Sequence, residues 1–158
     1  MPRSRAPILI QRELLLNGAE PSADELERLV AFQRQGHSVL LVAIQPARWR
    51  PTRRLVDHDL ALQQDLQQRI RRAGAELDGV VYLEAGLFSS KRARRREIDQ
   101  LAARYNVAAA DLVFLGCEPA LLDLIIRCGG KSLAIDCRGP SGSVPFKSLQ
   151  AGLESLYP

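Results

Sequence analysis

The sequence predicts an α/β domain with a doubly wound, parallel, five-stranded sheet and helices on both faces. Three observations carry this expectation. Short apolar runs and helical patterns alternate along the whole chain. The second run, Ser38 to Ile44, is almost continuously apolar, as a strand is when both its faces are covered. At 158 residues the chain fits one domain, residues 1–158, around one sizeable core.

The elements follow in order. Ile8–Ile10 is a first strand. Ser22 to Gln35 is a helix, with Ser22 as N-cap, Glu25 three residues on and Gly36 as its stop. Leu26, Leu29, Val30 and Phe32 form its apolar face. After the second strand, Gln45 to Val56 is expected to be a loop, since it carries Pro46 and Pro51. Asp57 to Ala73 is a long helix with Leu60, Leu62, Leu66 and Ile70, ended by Gly74. Gly79–Leu83 is a third strand, followed by a loop from Glu84 to Ser90. Lys91 to Tyr105 is a helix. Leu112–Leu115 is a fourth strand, and Pro119 to Arg127 is a helix with proline in its first turn. Ser132–Ile135 is the fifth strand. Gly139 to Pro145 is expected to be a mobile connection, and Phe146 to Leu156 a closing helix. The glycines near Ser141 lack the strand–loop–helix spacing of a phosphate-binding P-loop.

Composition excludes several classes. No apolar stretch approaches the ~20 residues of a membrane span, and the apolar run behind Met1-Pro2-Arg3-Ser4-Arg5 is too short for a secretory signal, so a cytoplasmic protein is expected. The three cysteines, Cys117, Cys128 and Cys137, are odd in number and widely spaced. That argues against a disulfide framework or a zinc knuckle and for buried free thiols. His37 is expected to be a surface turn residue and His58 a solvated one. The net charge of +4 is concentrated in two clusters, Arg48-Arg50-Arg53-Arg54 and Lys91-Arg92-Arg94-Arg95-Arg96.

The first strand ends in Gln11-Arg12-Glu13, before Leu14-Leu15-Leu16-Asn17. A strand that opens an α/β domain points its last side chains at the ligand crevice. This frame resembles the first motif of the haloacid dehalogenase (HAD) phosphatases: apolar strand, Asp-x-Asp-Gly-x-Leu, then Asn. Leu77-Asp78-Gly79-Val80-Val81-Tyr82, Glu25 to Val42 and Val113-Phe114-Leu115-Gly116 extend the resemblance over nearly the whole chain. It is closest to the heptose-bisphosphate and histidinol-phosphate phosphatase branch, with minimal or no cap.

The resemblance also implies which groups the chemistry would need, and the sequence departs at each. The nucleophilic aspartate is replaced by Gln11. The acid two residues on is Glu13, whose extra methylene moves the carboxyl by about 1 Å. The phosphate-binding Thr falls on Ala43, while Gln45 matches the family's Gln. The metal aspartate of Gly-Asp-x-x-x-Asp becomes Cys117, a poor ligand for a hard cation, and Asp123 falls two residues out of register for the second. The phosphate-binding lysine corresponds to Lys91 or Arg92. The Cys-x-His zinc loop is absent at Leu83-Glu84-Ala85-Gly86. Groups that act as one catalytic unit fail together, with a missing nucleophile costing about 10⁴–10⁶ in rate.

The expected function is therefore a catalytically degenerate, phosphatase-like binding or regulatory module without metal or cofactor. Gln45, Arg48, Trp49, Arg50, Arg53, Lys91, Arg92 and Arg95 are its candidate ligand-binding residues, forming a basic rim for an anionic ligand or an acidic protein partner. The alternatives are an altered hydrolase using Glu13 and Asp123, for which Mg²⁺ would be implied, and a polyanion or nucleic-acid backbone binder using Arg48-Trp49-Arg50 for charge and stacking.

Overall fold

The computed structural model describes residues 5–16, 23–46, 53–74, 79–85 and 91–156. Their order is β1 (Arg5–Gln11), α1 (Glu13–Leu16), α2 (Ala23–Arg34), β2 (His37–Pro46), α3 (Arg53–Arg72), β3 (Gly79–Ala85) and α4 (Lys91–Arg104). Then come β4 (Val113–Gly116), α5 (Pro119–Arg127), β5 (Lys131–Ile135), β6 (Val144–Phe146) and α6 (Leu149–Leu156). All strands are parallel in one sheet ordered β3-β2-β1-β4-β5-β6. This is the strand order of a Rossmann-type sheet. The chain leaves β1 toward β2 on one side and later enters β4 on the other, so the crevice opens between the C-terminal ends of β1 and β4.

Strand alternation divides the core in two. Ile8, Ile10, Val39 and Leu41 face Leu29 and Phe32 of α2, Leu66 and Ile70 of α3, and Leu149 and Leu153 of α6. On the opposite face Leu9, Leu40, Val42 and Phe114 meet Ile98 and Leu101 of α4 and Leu122 and Ile125 of α5. Each such side chain contributes about 1.5–3 kcal/mol by leaving water. Gly36 and Gly74 stop α2 and α3 in the left-handed region, at φ +90° and +92°, where a side chain would be strained. No helix among the described residues is long and apolar enough to cross a membrane.

Several expectations need correction. Among the described residues the sheet has six strands, not five. Val144–Phe146 pairs with Leu133–Ile135, and Phe146 packs against the first core cluster. Its glycine- and proline-rich approach is not loose: Ser143 donates from both N–H (3.1 Å) and Oγ (2.6 Å) to Pro140 O. The closing helix consequently starts at Leu149. β2 runs on to Pro46 and β3 to Ala85, while α3 starts at Arg53, which shortens both expected loops. Leu60 and Leu62 do not join the core, being 50% and 38% exposed. His37 opens β2, half-buried, with Nδ1 at 2.9 Å from Ala6 O and its ring edge-on to Phe32. The three cysteines are free but half-buried. The proposed N-cap Ser22 lies outside the described residues.

Candidate functional site

The last residue of β1 organises the crevice. Gln11 is 6% exposed. Its Oε1 accepts the N–H of Cys117 at 2.8 Å and of Glu118 at 3.1 Å. Glu118 caps α5 without a side-chain hydrogen bond of its own, so the amide oxygen of Gln11 takes N–H groups that the helix entry leaves open. Partial positive charge at a helix N-terminus favours an acceptor there. Both lone-pair sites of the amide oxygen are thereby engaged. Gly116 makes the approach possible: a Cβ there would stand 2.7 Å from Gln11 Oε1 and would collide with the Phe114 ring.

Carboxylates gather around this contact. Burial raises the Cys117 thiol pKa above its ordinary value; the hydrogen bond to Gln11 opposes this, and the charges of Glu13, Glu118 and Asp136 reinforce it. Burial also raises Cys137, with Cys117 and Asp136 adding to it, and Cys137 Sγ lies 3.9 Å from Gly116 O. Desolvation raises Cys128 as well. These thiols remain protonated near neutrality and are weak nucleophiles. Asp136 closes β5 with φ +49°, its N–H donating to Phe146 O at 2.8 Å.

These donors do not fit the hard-cation site of an HAD phosphatase. Gln11 offers an amide oxygen already bonded to two N–H groups, and Cys117 offers a protonated thiol where a hard oxygen ligand is needed. Asp123 lies in the second turn of α5, ion-paired to Arg127 at 2.8 Å. Among the described residues no group of three His, Cys, Asp or Glu side chains is arranged to hold a metal ion.

The remaining candidates divide by position. Ala43 is buried in β2, in register with Tyr82 of β3, and presents only a methyl group. Gln45 lies near the end of β2. Arg53 and Lys91 open α3 and α4, with Arg92 next in α4. These helices follow β2 and β3 in a parallel sheet, so their N-termini share the crevice edge with that of α5. Arg95 is exposed in the second turn of α4. Arg48, Trp49 and Arg50 lie outside the described residues.

The sequence did not reveal two participants. Asp136 gave no signal, because its charge reaches Cys117 only through the pairing of β5 with β4. Gln63, in the middle of α3, is 7% exposed and accepts from Arg12 Nη1 at 3.2 Å, while its own Nε2 is buried without a hydrogen-bond partner. Strand alternation does hint at the direction, since Arg12 directly follows Gln11, the last residue of β1, and so turns to the other face of the sheet.

Comparison with solved structures identifies the fold. The D,D-heptose 1,7-bisphosphate phosphatase of B. bronchiseptica, whose structure contains magnesium and phosphate, superposes with a TM-score of 0.66 at 16% identity, covering 96% of this chain and 97% of that one. The corresponding enzyme of Burkholderia thailandensis gives 0.55 at 14% identity, with coverage of 96% and 97%. The core domain of a protein assigned as a phosphoglycolate phosphatase, from Streptococcus pneumoniae TIGR4, gives 0.59 at 13%, with coverage of 98% and 95%. The chain has the HAD-type phosphatase fold over nearly its whole length. No protein-family model matches the sequence, and a sequence search of curated proteins finds no match.

Proposed function

We propose that this chain is a catalytically degenerate protein on the HAD phosphatase fold, a binding or regulatory module whose crevice carries a basic, anion-binding rim. The observation that supports this most is the Gln11 contact. An amide at the end of β1 has no carboxylate to attack phosphorus, and its oxygen is held by Cys117 and Glu118. The thiol at Cys117 and the methyl group at Ala43 weaken the case for metal and phosphate chemistry further.

The rim rests on helix geometry and charge. The first turns of α3 and α4 contain no acidic residue and open with Arg53-Arg54 and Lys91-Arg92. Cations at a helix N-terminus oppose the helix dipole. A bound anion would relieve both the dipole and the mutual repulsion of the arginines.

The test is binding of inorganic polyphosphate at several salt concentrations. Affinity is expected to fall steeply with salt as counterions are released. Arg53→Glu with Arg95→Glu is expected to weaken binding, while Arg34→Glu with Arg104→Glu, in the last turns of α2 and α4, is not. Equal loss in the two double variants would overturn the rim assignment.

A further inference from the structure

The two edges of the sheet are built differently. β6 is three residues long and contains Pro145, which has no N–H to offer a new strand. β3 is seven residues long, Gly-Val-Val-Tyr-Leu-Glu-Ala, with no Pro, Lys or Arg. Its ladder partner is β2, and among the described residues its outer row of N–H and C=O groups is unpaired. A long apolar edge of this kind is a template for another strand unless something covers it.

The helix beside that edge is also under-covered. α3 spans twenty residues, but of its described side chains only Gln63, Leu66 and Ile70 are buried. Leu60 and Leu62 are 50% and 38% exposed, and the only other exposed large hydrophobic residue described is Val144, at 42%. Asp57, Leu60, Ala61, Gln64, Gln68 and Arg71 lie at three- and four-residue spacings along one exposed stripe. The stripe is self-complementary when reversed. In an antiparallel copy centred on Gln64, Asp57 of each chain lies opposite Arg71 of the other, and Leu60 lies opposite Gln68.

A single two-fold axis serves both features. Antiparallel pairing of β3 with a second β3, centred on Tyr82, sets Val80 opposite Glu84 and Val81 opposite Leu83. Arg12 N–H donates to Val42 O, which puts Arg12 level with Ala43, and Ala43 is in register with Tyr82. The Arg12–Gln63 hydrogen bond then sets the middle of α3 at about that same height. The midpoints of the helix stripe and of the strand edge therefore lie at similar heights along the strand direction.

We infer that β3 and α3 form the interface of a symmetric homodimer, in which two sheets join edge to edge and the two α3 helices pack antiparallel. A two-fold contact uses the same patch on both chains, as this register does. Because the axis reverses the strand direction, the two crevices open at opposite ends of the joined sheet and neither is blocked.

Light scattering coupled to size exclusion tests this. The expected mass is twice the 17.5 kDa of one chain. Leu60→Glu is expected to raise the dissociation constant at least about tenfold with an unchanged circular dichroism spectrum. Gln64→Cys, a mild change at an exposed site, is expected to cross-link to its own copy under copper-catalysed air oxidation, beyond any cross-linking of the wild type. A wild type that is monomeric at its highest soluble concentration overturns the inference. So does a dimer whose affinity the leucine variant leaves unchanged and in which Gln64→Cys gives no cross-link.

Discussion

Gln11 and Cys117 lie 106 residues apart in sequence, yet the side-chain oxygen of one holds the backbone N–H of the other at 2.8 Å. The contact spans the crevice between β1 and β4 and also binds the entry to α5. It has a structural role whatever the crevice binds.

Gln11→Ala should therefore destabilise the protein. Two N–H groups in a partly buried turn would lose their acceptor, at an expected cost of about 1–3 kcal/mol. Urea unfolding measures this, and a loss below about 0.5 kcal/mol, the scale of an ordinary surface substitution, would show that the contact carries no weight.

Gly116→Ala should be damaging for a different reason. The added methyl group would meet both Gln11 Oε1 and the Phe114 ring, and overpacking of this kind costs about 1–3 kcal/mol. Thermal unfolding of this variant against wild type checks it, and an unchanged midpoint would contradict the packing.

The cysteines should be sluggish and alkali-sensitive. Burial is the first cause of the raised pKa at Cys117. From its ordinary value of 9.0 up to the folded-state value, the unfolded chain gives up a proton that the folded chain keeps, so stability should decline as pH rises through that window. Cys117→Ala should show a shallower decline. Iodoacetamide labelling of the native protein at neutral pH should be slower than after denaturation. Equal labelling rates would contradict the protected environment.

Mg²⁺ should not stabilise the protein. A ligand that binds only the folded state raises the unfolding midpoint according to its concentration over its dissociation constant, and Gln11 and Cys117 present an amide oxygen already engaged by two N–H groups and a protonated thiol. Unfolding midpoints with and without Mg²⁺, together with elemental analysis, check this. A clear upward shift or stoichiometric metal would contradict it.

Much of the fold was legible because helix and strand periods differ and helix stops are local. The Pro119–Arg127 helix carries its own proline start, and Gly36 and Gly74 mark the ends of α2 and α3. The start of α3 was not legible, because Arg53 and Arg54 oppose the dipole and supply no capping signal. β6 was hidden by Pro145, which reads as loop but is tolerated on an edge strand. Leu62 keeps the four-residue spacing of Leu66 and Ile70 yet is 38% exposed, so sequence pattern alone could not set its burial, while Leu60, two residues away, faces another side of α3. The likeness of motifs located Gln11 and Cys117 at one crevice, but that they touch depends on the parallel pairing of β1 with β4. Gln63 had no sequence signal, since a glutamine within a glutamine-rich helix looks solvated.

The measurement that bears most directly on the central claim is turnover of phosphate monoesters by the purified protein with Mg²⁺. Sugar phosphates, histidinol phosphate and an aryl phosphate should all be hydrolysed no faster by the wild type than by Gln11→Ala. Mg²⁺-dependent hydrolysis at about 1 s⁻¹ or above, within the usual range for enzymes, that disappears in Gln11→Ala would contradict the account.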